Sequence, residues 1–388
     1  MVGNKACAWG ARLARVQVAT AYPVTPQTSI NEYMSNFIVQ GHHKCEFVNV
    51  EGEFSAMGVL KAASRAGART FCCTAGPGQL YMHQPMHGTS NMRLPIVMAT
   101  VNRGAKNGTD HTDIMSQMWT GWLQLYVENN QEILDTIIMA YKVAEDKRVR
   151  NPLDVAYEGY LLSYTAEPVE IPDQAEVDEF LPPYEPTPNI MPENFNDTVN
   201  RRARGRNPQD NWKMHHEAIL GSMEVIKEVN EEFGKRFGRK YGNGLVEEYR
   251  CEGAEAIIVA MGTIASSGKV AIDRMRSEGK PIGLVRIKCF LPFPAEDMQR
   301  IAKNVKALGM IDRNCLLGHG GAGYGELARN LYSLEERPKL LGFFAGLSSA
   351  EVTVADIEKM AEKTLKAAKG EKVEPLIEWP LFVGRAGG

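Results

Sequence analysis

Three short polar constellations stand where a β-rich run gives way to a helix-period stretch, the places where an α/β sheet presents side chains to a ligand. The first is Glu51-Gly52-Glu53, which follows the run CEFVNV and opens a helical stretch over 54–65. A carboxylate there suits proton transfer or cofactor binding; the bland alternative is that both glutamates complement the positive end of the helix dipole. The second is Tyr22-Pro23-Val24-Thr25-Pro26, just past VQVATAY. Pro23 and Pro26 stiffen the backbone around Thr25 and present its hydroxyl at a strand end, although alone the segment is only a stiff connection. The third is Asn102-Arg103-Gly104 after PIVMATV, with Asp110-His111-Thr112-Asp113 close behind. A guanidinium in that place clamps a carboxylate bidentately and so suits an acidic substrate; a structural arginine paired with Asp110 or Asp113 fits the same residues.

Other candidates carry less chemistry. Gly318-His319-Gly320-Gly321-Ala322-Gly323 satisfies G-x-G-x-x-G, but no acidic residue follows at the distance a ribose needs, so a turn built for close packing is the better reading. His83 and His87 are four apart, yet Pro85 lies between them and no third ligand is evident. The adjacent Cys72-Cys73 reads as core, and neither GxSxG nor GxxxxGK[ST] occurs. Seven cysteines without a CxxC pair argue against a disulfide framework and against a ferredoxin-type cluster held by this chain.

The elements that must position these residues follow from periodicity. Five apolar runs, VQVATAY, CEFVNV, RTFCCTA, PIVMATV and PLDVAYE, alternate with helix-period stretches such as 54–65 and 131–145, the pattern of a doubly wound parallel sheet covered by helices. Composition changes after about Glu167, where PVEIPDQ, LPPYEPTPNIMP and GRNPQDN read as an arm of the kind that wraps a neighbouring domain or subunit, before a charged helix over 214–239. A second α/β unit begins near Glu255, with runs EAIIVAM, PIGLVRI, ALGMID and LLGFFAG and a final helix whose start is marked by Thr353-Val354-Ala355-Asp356. The expected division is 1–166, 167–254 and 255–388.

The bulk numbers fit a globular chain long enough for two domains with real cores: 388 residues, 44% hydrophobic, 23% charged, net charge −3. That balance gives no reason to expect nucleic acid, and the basic run Arg201-Arg202-Ala203-Arg204-Gly205-Arg206 is better explained as a solvated loop or subunit contact. No apolar segment is long enough to span a membrane and no signal peptide is apparent, so a cytoplasmic location is expected.

Taken together, ARLARVQVATAYPVTPQTSINEY, VEGEFSAMGVLKAASRAGART, NRG with DHTD, GWLQLYVENNQE, and VRIKCFLPFP with DRN and GHGG resemble the α subunit of the 2-oxoacid:ferredoxin oxidoreductases, in the expected order over nearly the whole chain. The resemblance implies a thiamine diphosphate enzyme that oxidatively decarboxylates a 2-oxoacid with coenzyme A to an acyl-CoA and CO2, passing electrons to iron–sulfur clusters. It implies that the first unit faces the aminopyrimidine ring, where Glu53 hydrogen-bonds a ring nitrogen and favours the imino tautomer that removes the thiazolium C2 proton. Tyr22, Pro23 and Thr25 are placed beside the cofactor, Thr25 also touching the substrate, and Arg103 binds the substrate carboxylate. The second unit is implied to be a transketolase C-terminal-like domain. The family's diphosphate and Mg2+ site, built around a GDG segment and an asparagine, has no counterpart in the sequence. The implied partners are therefore a β subunit carrying diphosphate, Mg2+ and a [4Fe-4S] cluster, a γ subunit, and a ferredoxin-like iron–sulfur subunit.

Departures from the family pattern bear on substrate. Between Arg103 and Asp110 the sequence reads GAKNGT, shorter than the loop of pyruvate enzymes; Thr74-Ala75-Gly76-Pro77-Gly78 replaces a Ser-Ser-Gln-Gly type turn; and Leu291 replaces a common arginine. Thr25 argues against oxalate-specific relatives. The shorter loop leaves room for a larger side chain, so the expectation leans to phenylglyoxylate, converted to benzoyl-CoA, with pyruvate as runner-up and a non-catalytic scaffold subunit as the alternative class.

Overall fold

The structure is a computed structural model that describes residues 1–104, 108–186, 207–348 and 350–380. The basic run at 201–206 and the loop centre at 105–107 lie outside the described residues.

Strands β1 (Val18–Ala21), β2 (Glu46–Asn49), β3 (Thr70–Thr74), β4 (Val97–Asn102), β5 (Leu123–Tyr126) and β6 (Leu153–Glu158) form a parallel sheet in the spatial order β5-β6-β4-β3-β1-β2. The inner strands β3, β4 and β6 are buried along their whole length, as helices on both faces of a parallel sheet require, whereas the edge strand β2 is half-exposed. From β1 the chain crosses to β2 on one side, then returns to β3 on the other. The sheet thus has its topological switch point between β1 and β3, where the carboxyl ends of the strands leave a crevice.

The second unit comprises β7 (Val246–Tyr249), β8 (Ala256–Ala260), β9 (Ile282–Ile287), β10 (Cys289–Leu291), β11 (Ala307–Asp312), β12 (Lys339–Phe344) and β13 (Ile377–Glu378). Six of these form a sheet in the order β13-β12-β11-β8-β9-β7, with β7 antiparallel and the rest parallel. Strand β10 leaves that sheet and pairs antiparallel with β5, so the edge of the first sheet is supplied by the second unit. Neither β5 nor β10 is among the runs that periodicity picks out; β10 has only three residues and is cut short by Pro292. Strand β7 likewise precedes Glu255.

The two units are also joined by buried charge. Glu132, in the helix Asn130–Glu145, accepts from Arg286 Nη1 and from Lys288 Nζ, both at 2.6 Å, and all three residues are buried. Burial alone raises the Glu132 carboxyl, but the attraction of Arg286 and Lys288 outweighs it and holds the group at about 2.

The described part of the arm lies on its own chain. The helix Gln174–Phe180 buries Val177 and Phe180; Phe180 packs edge-on against Phe233, and Arg69 Nη2 donates to the Pro182 carbonyl at 2.9 Å. Phe233 belongs to the helix Pro208–Phe237, whose start is capped by Asn207 with Pro208 in the first turn and whose end is closed by Gly238 at φ +70°.

Candidate active site

The crevice at the switch point collects the carboxyl-end segments of four strands. After β2, Glu53 opens the helix Glu53–Arg65 and is 7% exposed. Glu51 lies before the helix, is exposed and accepts from Ser55 Oγ at 2.5 Å, whereas Glu53 is the acidic residue of the helix's first turn and is buried. Its carboxylate rests on the first turn of the helix Gly76–Tyr81: a Cβ built on Gly78 would stand 2.3 Å from Glu53 Oε1 and 2.7 Å from Thr74 Oγ1. Only glycine at position 78 lets carboxylate and hydroxyl come this close. Among the described residues neither the Glu53 carboxylate nor the buried Thr74 hydroxyl has a hydrogen-bond partner.

After β1, Thr25 is exposed in the crevice, and after β4, Arg103 reaches across to it: Arg103 Nη1 donates to the Thr25 carbonyl oxygen at 2.9 Å. The structure therefore brings these two predicted residues together through the threonine backbone. Tyr22 and Pro23 stand on the exposed rim, and the Tyr22 carbonyl accepts from Gln27 Nε2 at 2.6 Å. Beside Glu53 the rim is apolar, with Phe54 and Tyr81 in ring contact at 5.9 Å and both more than two-fifths exposed.

One residue joins these segments. Asp113 is 1% exposed; its Oδ2 accepts from the backbone N–H of Gly76 at 3.0 Å and of Arg103 at 2.9 Å, and its Oδ1 accepts from Asn102 Nδ2 at 2.8 Å and from the Ile114 N–H at 2.9 Å. Of the two pairings left open for Arg103, Asp113 thus meets its backbone. Asp110 is engaged elsewhere, accepting from Thr112 and from the Ser348 N–H at 3.0 Å, which ties the Arg103 loop to the second unit. The joint continues through His111 Nε2, 3.0 Å from Glu158 Oε1, and Arg313, 3.7 Å from the same oxygen.

Beneath the crevice lies Asp154 on β6, fully buried, with Oδ2 accepting from Gln79 Nε2 at 2.7 Å and Thr100 Oγ1 at 2.8 Å. Burial raises its carboxyl to about 8, so it is largely protonated at neutral pH. Sequence reasoning names neither Asp154 nor the hub role of Asp113. A buried carboxylate inside an apolar strand, and an aspartate ten residues beyond an arginine, carry no local pattern that marks them.

The glycine-rich loop at 318–323 does not build a nucleotide cradle. Asp312 accepts from the N–H groups of Gly323 at 2.8 Å and Tyr324 at 2.9 Å, and Asn314 caps Ala322 at 2.8 Å, so the helix start there is already occupied by side chains. Glycine is needed at 321 because a Cβ would stand 2.1 Å from Asp312 Oδ2. His83 and His87 approach to 3.3 Å, with His83 also bonded to Gln117, and among the described residues no group of three His, Cys, Asp or Glu side chains is placed to hold a metal ion. Cys72 and Cys73 are buried, and burial pushes both thiols up, away from reactivity. Among the described residues no helix is long and apolar enough to cross a membrane.

Comparison with known proteins gives consistent results. Residues 9–235 match the family model described as pyruvate flavodoxin/ferredoxin oxidoreductase, thiamine diphosphate-binding, and residues 254–357 match pyruvate:ferredoxin oxidoreductase core domain II. The pyruvate synthase subunit PorA of Pyrococcus abyssi is 40% identical over 383 residues, covering 98% of this chain and 96% of that one. The ketoisovalerate oxidoreductase subunit VorA of Pyrococcus horikoshii is 39% identical over 386 residues, covering 97% and 96%. In fold, the chain resembles 2-oxoglutarate:ferredoxin oxidoreductase from Magnetococcus marinus, with TM-score 0.69 at 19% identity over 94% of this chain and 65% of that one. A split gene transketolase matches with TM-score 0.55 at 13% identity over 94% and 98%.

Proposed function

From the premise that this chain belongs to the pyruvate flavodoxin/ferredoxin oxidoreductase family, as the α subunit of a 2-oxoacid:ferredoxin oxidoreductase, we propose that its substrate is pyruvate. The proposed reaction is the oxidative decarboxylation of pyruvate with coenzyme A to acetyl-CoA and CO2, two electrons passing to iron–sulfur clusters in partner subunits. The expectation of phenylglyoxylate is set aside. The relatives named above are a pyruvate synthase and a ketoisovalerate oxidoreductase, and the shortened loop that prompted it has its centre at 105–107, outside the described residues.

Thiamine diphosphate, when bound, supplies the carbanion chemistry. The residues present fit its pyrimidine end: Glu53 offers an inward carboxylate with no partner among the described residues, beside the apolar Phe54 and Tyr81. In the proposed mechanism the Glu53 carboxylate accepts a hydrogen bond from a pyrimidine ring nitrogen and holds the proton there. Arg103 neutralises the carboxylate of the 2-oxoacid, and the Thr25 hydroxyl lies within reach of its carbonyl side. The exposed apolar rim faces the β subunit, which contributes the diphosphate, Mg2+ and a [4Fe-4S] cluster, with γ and ferredoxin-like subunits completing the complex.

Behind the 2-oxoacid reading stands the meeting of Arg103 with Thr25 at the switch point, beside the helix 76–81 on which the Glu53 carboxylate rests, and the choice of pyruvate rests on the 40% identity to a pyruvate synthase subunit. The test is a panel of pyruvate, 2-ketoisovalerate and phenylglyoxylate offered anaerobically to the purified complex with coenzyme A and an artificial electron acceptor. Pyruvate is expected to give the highest kcat/KM. A higher value for either competitor overturns the substrate, and turnover of none of them overturns the reaction class.

A further inference from the structure

Asp113 is almost fully buried and is held on both of its carboxylate oxygens. Its two oxygens gather four N–H donors from three segments: the end of β4 (Asn102 and Arg103), the first turn of the helix 76–81 (Gly76), and its own helix start (Ile114). The two active-site walls are joined by these contacts, by close packing and, deeper in the sheet, by Asp154, which accepts from Gln79 of one and Thr100 of the other. A Cβ on Gly76 would stand 2.7 Å from the Arg103 carbonyl oxygen, and two residues on, Gly78 carries Glu53. Gly76 itself has φ +47°. A buried carboxylate with four donors is a rigid node, because each N–H that loses it is left unsatisfied in a place water reaches poorly.

We propose that Asp113 is the positioning residue that fixes Arg103 for the substrate carboxylate and, through Gly76, registers the wall on which the Glu53 carboxylate rests. Asp113 touches neither substrate nor cofactor; it acts through the backbone of the residues that do. The inference rests on the reading of Arg103 as the clamp for a 2-oxoacid. It adds that the clamp and the pyrimidine wall share one anchor, so that a single substitution loosens both.

Asp113→Ala removes both acceptor oxygens, so all four N–H groups lose their partner. In the assembled complex, hydrogen–deuterium exchange measured without substrate is expected to accelerate roughly ten- to hundredfold at the amides of Gly76 and Arg103, the cost of losing a hydrogen bond to a charged acceptor. The KM for pyruvate is expected to rise by about tenfold, and Asp113→Ala placed on Arg103→Ala should add no further rise, because the group it positions is gone. Should Asp113→Ala fail to assemble, Asp113→Glu carries the same readouts: it keeps the charge but displaces the oxygens by a methylene. Unchanged exchange at both amides overturns the proposal, and so does a KM effect of equal size with Arg103 absent. A wild-type complex that turns over no 2-oxoacid instead sinks the substrate reading, and the exchange measurement still decides the role of Asp113.

Discussion

Gly78→Ala isolates the position of the Glu53 carboxylate from everything else about the fold. The added methyl would stand 2.3 Å from Glu53 Oε1, 2.7 Å from Thr74 Oγ1 and 2.9 Å from Glu53 Cδ, where ordinary contact begins at 3.4 Å. Thr74 is fixed in a fully buried strand, so the flexible carboxylate must give way, by about 1 Å, a misplacement that costs on the order of a hundredfold in rate. Stability should change little. Position 78 is helical with no left-handed backbone, so alanine gains about 1 kcal/mol of helix propensity against an overpacking cost of roughly 1–3 kcal/mol. The assays are kcat of the assembled complex at saturating pyruvate, coenzyme A and thiamine diphosphate, and calorimetry on the same sample. A kcat near wild type refutes the reasoning, since it would mean that the carboxylate does not need the place the structure gives it.

Two further outcomes follow from buried charge. Glu132→Ala leaves Arg286 and Lys288 buried without their shared partner and should cost about 3–5 kcal/mol, a Tm loss of about 4–6 °C for a chain of this length, while the KM for pyruvate stays put; an unchanged Tm contradicts it. Because the folded carboxyl is held at about 2, below its unfolded value, the stabilisation is whole above pH ~4.3 and is lost as pH falls through about 2, which an acid titration of Tm in wild type and Glu132→Gln separates. Asp154 has the opposite sign: its folded value of about 8 lies above the unfolded one, so its contribution is favourable in acid and is lost as pH rises toward 8. Asp154→Asn should therefore match wild-type Tm below about pH 4, where the side chain is largely neutral in both states, and exceed it by a margin that grows up to about pH 8; a lower Tm at both ends counts against a neutral Asp154.

What the sequence makes legible here is what has a period or a punctuation mark. The inner strands β3, β4 and β6 lie in largely apolar, β-rich runs, and the helix after Thr353 opens on a capping box that the structure shows in full. The polar residues at strand ends are visible for the same reason, since an abrupt stop in an apolar run exposes Glu53, Thr25 and Arg103 to notice. Pairing is another matter. Strand β10 is recognisable only through its partner β5, some 160 residues away, because three residues hold no periodicity of their own. The hub role of Asp113 depends on Gly76 and Arg103 converging from separate strands, and local spacing does not encode convergence. Gly78 and Gly321 each mark a carboxylate that packs where a Cβ would be, the first at the candidate site and the second at the helix cap built by Asp312.

Glu53 is proposed as the catalytic carboxylate of a thiamine-dependent site to which this chain contributes one wall. Glu53→Gln keeps the shape of the side chain and removes its charge, so the reconstituted complex can be compared with wild type at saturating pyruvate, coenzyme A and thiamine diphosphate. A fall in kcat of roughly a hundredfold or more, with Tm within a few degrees of wild type, is the expected result. A kcat close to wild type contradicts the account.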